Sequence, residues 1–258
     1  MASKTYRDQV IVLKKTKLKE SDLILTLLAH DGRQIRAVAK GARKPTSSFA
    51  ARLDLFSNAR VFFAVGRNLD IVKEARLVDA HAALRCDVGL TACACPMAEL
   101  LTKATQDSLP VPRLFDMTQA AFSTLEQTAG AARLLLCAAF LLKACAVLGF
   151  RPCLAQCVEC GRPLLGEGDM PEGEHLWFTA AGGGAVCPEC ASGLSAAPLD
   201  REIARWAETL IGARFAEIAA FPAQEETSLA VLRFTQGWTR EHIGRLKSLD
   251  MLISQGVY

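Results

Sequence analysis

The chain has 258 residues, 51% hydrophobic and 22% charged, long enough for one large domain or two modest ones and too apolar for a disordered tail. The formal net charge is only +3, yet residues 1–76 hold 16 Lys/Arg against 7 Asp/Glu, a balance of +9 that leaves −6 for the rest. A basic first third on a mildly acidic remainder points to a polyanion as its partner, although a charge excess alone is equally a solvated basic face.

The start, Met1 to Arg7, is polar and no apolar stretch follows it, so no secretory leader is expected. The longest uncharged apolar run, Leu134–Leu142, is too short to span a bilayer and ends at Lys143. The expectation is a cytoplasmic protein with no membrane contact. Ten cysteines in that compartment argue for metal binding or buried thiols over disulfides.

In chain order, Tyr6–Leu13 and Leu23–Leu28 are strand candidates, the second running into the turn signal Asp31-Gly32. Gln34–Lys40 alternates with period two, with Ile35, Ala37 and Ala39 on one face. Asn58–Val65 and Leu69–Ala75 form a hairpin around Gly66-Arg67-Asn68. Five short strands match the count of an OB-type barrel, a count that other small barrels share. From Asp79 the period is helical: Leu84–Leu109, Leu114–Thr128, Ala131–Leu148, Leu199–Ile218 with Ser195 or Asp200 as N-cap, and Thr227–Ile253. The fold class is α+β, with a barrel over 1–78, a helical domain over 79–258, and a Gly-, Pro- and Cys-rich insert at 151–197 that includes the strand Leu176–Thr179.

That insert carries Cys157-x2-Cys160-x26-Cys187-x2-Cys190. Two CxxC turns can place four thiolates around one tetrahedral ion, and four thiolates leave no open position for catalysis. Structural zinc is the reading; a redox or iron–sulfur role and plain buried thiols are the alternatives. His175 is a competing ligand close by, and Cys153 is a spectator. Cys86, Cys93, Cys95, Cys137 and Cys145 read as small buried hydrophobes in helices. No HxE, HExxH, Walker A or dinucleotide glycine motif occurs, and no catalytic or cofactor-binding residue is assigned.

The nucleic-acid candidates are Lys14 and Lys17, in the Lys14/Lys15/Lys17/Lys19 cluster after the first strand, and Arg33, Arg36, Lys40, Arg43 and Lys44 on the third strand and the loop after it. Such cations neutralise phosphates without reading bases. Tyr6, Phe49, Phe56, Phe62 and Phe63 are the stacking candidates, with Phe62 and Phe63 expected in the core.

Val12-Leu13-Lys14, Glu20–Leu28, Gly32-Arg33 and Ala39–Pro45 together resemble the start of the RecO recombination mediators. Gly149-Phe150-Arg151-Pro152, the two cysteine pairs, and Gly244–Ser248 are similar to that family's zinc finger and last helix. The resemblance runs nearly end to end. It implies an N-terminal OB-fold, a helical domain with a zinc finger, and one zinc ion. It also implies binding of single- and double-stranded DNA, annealing of complementary strands, and work with RecR and the C-terminal tail of single-stranded-DNA-binding protein in loading RecA, in the bacterial cytosol or nucleoid. A non-enzymatic mediator is the expected function. An RNA- or ribosome-associated OB-fold/zinc-ribbon module and a metal-dependent enzyme are the competing readings.

Overall fold

The computed structural model describes residues 4–166 and 175–256. Residues 167–174 of the expected insert lie outside the described residues. By packing, the backbone divides into two compact units, Met1–Gln127 and Thr128–Gly256.

In the first unit, β1 (Thr5–Leu18), β2 (Asp22–Ala29), β3 (Gln34–Ala39), β4 (Asn58–Ala64) and β5 (Asp70–Asp79) close into a barrel of order β1-β2-β3-β5-β4. The long β1 makes closure possible. Thr5–Ile11 pair with β4 and Val10–Leu18 pair with β2, with an irregularity between Val12 and Lys14 where the strand passes from one neighbour to the other. Only β3 and β5 run parallel, through Ala37–Asp70 and Val38–Ile71. This is the five-stranded OB-fold order. The interior holds Val10, Val12, Leu25, Leu27, Ile35, Ala37, Ala39, Val61, Phe63 and Val72. The period-two reading of β3 is borne out, since Ile35, Ala37 and Ala39 all point inward.

The strand ends differ from expectation. β1 continues through the lysine cluster, so Lys14, Lys15 and Lys17 stand on a strand and not after one. The helical stretch expected over 84–109 is α1 (Ala83–Cys86) and α2 (Val88–Ala104), broken at Asp87, whose extended backbone lets its carboxylate accept from the Leu90 N–H at 2.8 Å. α2 ends early because the chain turns to the barrel: the Gln34 N–H donates to the Gln106 carbonyl at 3.0 Å, and Gln34 Nε2 donates to the carbonyls of Thr102 and Thr105. α3 (Arg113–Gln127) follows. The turn between β2 and β3 needs glycine: Gly32 has φ +82°, and a Cβ there would lie 1.9 Å from the Val111 carbonyl oxygen.

The second unit is built around α4 (Ala132–Val147), apolar on nearly every side and therefore enclosed by neighbours. Its hairpin insert is a sheet of order β7-β6-β8, from β6 (Leu176–Thr179), β7 (Gly184–Val186) and β8 (Ala197–Leu199), with the short α5 (Pro188–Ala191) between β7 and β8. The stretch expected as one helix over 199–218 is α6 (Arg201–Gly212) and α7 (Phe215–Ala219). Asp200 caps α6 by accepting from the Glu202 N–H at 2.7 Å. Lys143, on α4, closes its far end, donating to the carbonyls of Ile211 and Ala213 at 2.7 Å each. The last stretch is likewise two helices, α8 (Glu225–His242) and α9 (Lys247–Gln255). The N–H groups of Ile243 and Gly244 both turn back to the Thr239 carbonyl, which ends α8. Phe178 on β6 packs edge-on against Phe234 and Trp238 of α8, at 5.0 and 5.7 Å between ring centroids, and fastens the insert to the helices.

Candidate metal centre and nucleic-acid interface

The insert brings all four cysteines of the sequence pattern together, with their sulfurs within 4.8 Å of one another. Two turns do this. In the first, the Gly161 N–H closes onto the Cys157 carbonyl at 2.9 Å and the Cys157 N–H reaches the Arg162 carbonyl at 2.8 Å. In the second, the N–H groups of Cys190 and Ala191 close onto the Cys187 carbonyl at 3.1 and 3.0 Å as α5 begins. The turns are held side by side by main-chain bonds, Cys153 to Gly183 and Ala185, and Val158 to Ala185. That approach requires Gly184, where a Cβ would sit 2.1 Å from the Cys153 oxygen.

The donor set fits a tetrahedral ion. Sulfurs about 2.3 Å from one zinc lie about 3.8 Å apart at tetrahedral angles, and Cys160 and Cys187 are 3.8 Å apart. Cys157 and Cys187 are buried, Cys190 is half-buried, and Cys160 is exposed. Burial works against the Cys157 thiolate, but main-chain hydrogen bonds from Cys187, Cys160 and Glu159 bring its pKa down to about 6. Cys190, hydrogen-bonded to the sulfurs of Cys187 and Cys160, is pushed up to about 12. Several thiolates this close repel one another unless a cation lies among them. Arg162 and Glu189 bridge the two turns at 2.7 Å, and Arg162 holds the Glu189 carboxyl down at about 2. His175 is exposed and outside the cluster. Of the other cysteines, Cys93, Cys137 and Cys145 are buried as expected, Cys95 is half-buried, and Cys86 is exposed because it closes the single turn of α1.

The sequence-named cations do not share one environment. Lys14 and Lys17 are exposed on β1, Arg36 on β3, and Lys40, Arg43 and Lys44 on the segment after β3. None of these six forms an ion pair among the described residues. Arg43 donates to the carbonyls of Lys19 and Glu20 at 3.2 and 2.7 Å, which anchors the β1–β2 turn and leaves its charge uncancelled. Lys17 and Arg43, with Lys15, rim a cleft of about 380 Å³ floored by Leu23, Leu25 and Leu53, with Phe49 beside it. Arg33 is different. It reaches Asp8 at 3.1 Å, Asp31 at 3.0 Å and Asp107 at 3.7 Å, and it lies over the Tyr6 ring. Its charge is paired with three carboxylates of its own chain, two of them exposed.

Of the aromatic candidates, Phe56 and Phe63 are fully buried, and Tyr6 stacks on Phe63 while hydrogen-bonding Asp70. Phe62 is not in the core as expected. Strand alternation turns it outward from Phe63, under Arg7 at 5.1 Å. Around it, Arg7, Arg60 and Arg76 line a groove of about 540 Å³ with Asp8 and Glu74. Sequence reading missed these arginines because they are far apart in the chain. The pairing Gln9–Arg60–Arg76 beside Arg7–Phe62–Glu74 brings them together.

A closed OB-fold barrel with uncancelled cations on its flank, followed in the chain by helices and a four-cysteine turn pair, defines a nucleic-acid-binding protein with a metal-binding insert. Two family models cover almost the whole chain: Recombination protein O N terminal matches residues 1–81, and Recombination protein O C terminal matches residues 85–250. The chain belongs to the RecO family, whose members are DNA-binding proteins of DNA repair and recombination. No helix among the described residues is long and apolar enough to cross a membrane.

Proposed function

We propose that this chain is a non-enzymatic recombination mediator that anneals complementary DNA strands and, with RecR, helps to load RecA onto single-stranded DNA coated by single-stranded-DNA-binding protein, whose C-terminal tail it contacts. The observation that carries the reading is the set of six exposed cations, Lys14, Lys17, Arg36, Lys40, Arg43 and Lys44, that form no ion pair among the described residues, on the barrel of a RecO-family chain. Cations on a strand face hold phosphates without regard to sequence and release counterions as they do so. Bringing two strands to one positive surface lowers the repulsion that keeps them apart. Arg33 belongs to the barrel's internal ion network and contributes little to this binding.

In the second unit, Cys157, Cys160, Cys187 and Cys190 hold one structural zinc ion, which braces the insert and takes no part in chemistry. The test of the mediator reading is strand annealing by the variant Arg36→Glu, Lys40→Glu, Arg43→Glu, with Lys14→Glu, Lys17→Glu as an independent pair that touches no carbonyl. Annealing falls on the order of 100-fold in both, as does affinity at low salt. Unchanged annealing in both variants overturns the reading, and a clear preference of the unmodified protein for structured RNA over DNA replaces it with an RNA-binding role.

A further inference from the structure

We propose that His81 and Asp79 form a second metal site, distinct from the cysteines, that takes one divalent transition-metal ion of the zinc or cobalt type, with Glu126 as its positioning residue. Asp79 ends β5, His81 lies two residues on, and Glu126 is in the last turn of α3, all within the first unit. Their ligand atoms lie within 4.8 Å of one another.

The imidazole is completely enclosed, with the Phe122 ring edge-on at 5.7 Å between centroids. Its Nδ1 is 2.9 Å from Glu126 Oε2, which accepts from it, so that in the neutral ring Nε2 carries the free electron pair. Nε2 is buried and has no hydrogen-bond partner. An unmade bond at a buried nitrogen is costly. The group that Nε2 faces is Asp79 Oδ2 at 3.8 Å, too far for a hydrogen bond. A carboxylate oxygen and the bare nitrogen of a neutral ring are joined only through a cation, a proton or a metal ion, and at 3.8 Å a proton on Nε2 makes no hydrogen bond. Ligands about 2.0–2.2 Å from one ion lie about 3.4 Å apart at the tetrahedral angle, so the partly exposed Asp79 carboxylate, now at 3.8 Å, has to close by about 0.4 Å to share an ion with Nε2.

Both carboxylates are held for this purpose. Asp79 Oδ1 accepts the His81 N–H at 3.0 Å, and Glu126 Oε1 accepts the Ala83 N–H at 3.2 Å, so one oxygen of each is anchored and the other faces the ring. Carboxylate, imidazole and metal in line is the arrangement by which a protein orients a histidine ligand. The Asp79 side chain is 46% exposed, which gives the ion an entry path and room for water to complete its coordination. Arg85, a cation close by, donates to the carbonyls of Ala80 and His81 and is paired with Asp54 at 3.3 Å. One imidazole nitrogen and one carboxylate suit zinc, cobalt or nickel better than magnesium or calcium.

The test is a Co²⁺ titration of the full chain whose cysteines are already loaded with zinc, followed by absorption and calorimetry. One further equivalent enters with the visible bands of an oxygen- and nitrogen-bound ion and without thiolate charge transfer. Asp79→Ala abolishes it, and His81→Ala does the same where that variant folds. Glu126→Ala weakens it about 10–100-fold, and Glu126→Gln, which still accepts from Nδ1, restores most of the affinity. Uptake limited to bands with thiolate charge transfer, no uptake at all, or uptake unchanged in Asp79→Ala overturns the proposal.

Discussion

The four-cysteine turns and the basic flank of the barrel hold their functional side chains in opposite ways. In the insert, each sulfur is fixed by main-chain bonds within a few residues of it, and the two turns are bound directly to each other. On the barrel, Lys14, Lys17, Arg36, Lys40 and Lys44 are placed only by the strand or loop that carries them, and their charges end in solvent. A metal site works by closure, so its residues constrain one another and any one of them is indispensable. A phosphate-binding flank works by summation, so its residues are individually replaceable and jointly decisive.

The comparison breaks most visibly at the cysteines. Cys157→Ser with Cys187→Ser is expected to eliminate stoichiometric zinc, measured by elemental analysis, and to melt the second unit at a much lower temperature, since structural zinc sites contribute on the order of 10 kcal/mol in isolated fingers. DNA affinity of the barrel stays within about threefold in the same variant if the two regions work independently. A parallel loss of DNA binding joins them into one functional element.

Arg33→Gln sharpens the other side. Loss of its charged hydrogen bonds to Asp8 and Asp31 is expected to lower the first unit's stability by about 1.5–3 kcal/mol in urea unfolding. Affinity for single-stranded DNA changes less than about twofold and the salt dependence of binding keeps its slope, whereas a true phosphate contact takes roughly 0.7 from it. A reduced slope makes Arg33 part of the binding face.

The smallest effect is at Asp54, which pairs with Lys15 beside the basic cleft. Burial raises its carboxyl, but the Lys15 hydrogen bond and the Leu55 N–H outweigh burial and hold the pKa below the ordinary value. A carboxyl lowered by folding contributes stability above its unfolded pKa and loses it as pH falls through the folded value. Asp54→Asn is therefore expected to cost about 1 kcal/mol or less near neutrality, and the difference from the unmodified protein shrinks toward zero in strong acid. A deficit that persists at low pH means that packing, and not charge, is what Asp54 supplies.

The cysteine cluster was legible because its information is local: two tight turns of fixed spacing declare themselves in the sequence. The barrel was legible from the alternation in β3 and the Asp31-Gly32 turn. What escaped was decided by distant partners. The helix breaks at Asp87 and after Ala104 depend on a cap and on Gln34 drawing the chain to the barrel. Arg33 looked like its neighbour Arg36 until Asp8 and Asp107, far off in sequence, neutralised it. Phe62 and Phe63 were treated alike, although consecutive residues of a strand must face opposite ways. His81 offered no motif, because Glu126 is brought to it only by the fold.

The edge-to-face packing of Phe178 on Trp238 has a practical consequence. Trp238 is 1% exposed, and its Nε1 donates to the Phe150 carbonyl at 3.0 Å, so one indole touches both the insert and the helices. With Trp177 and Trp206 replaced by Phe, its emission wavelength becomes a label-free gauge of whether the insert peels away before the helical bundle melts or goes with it.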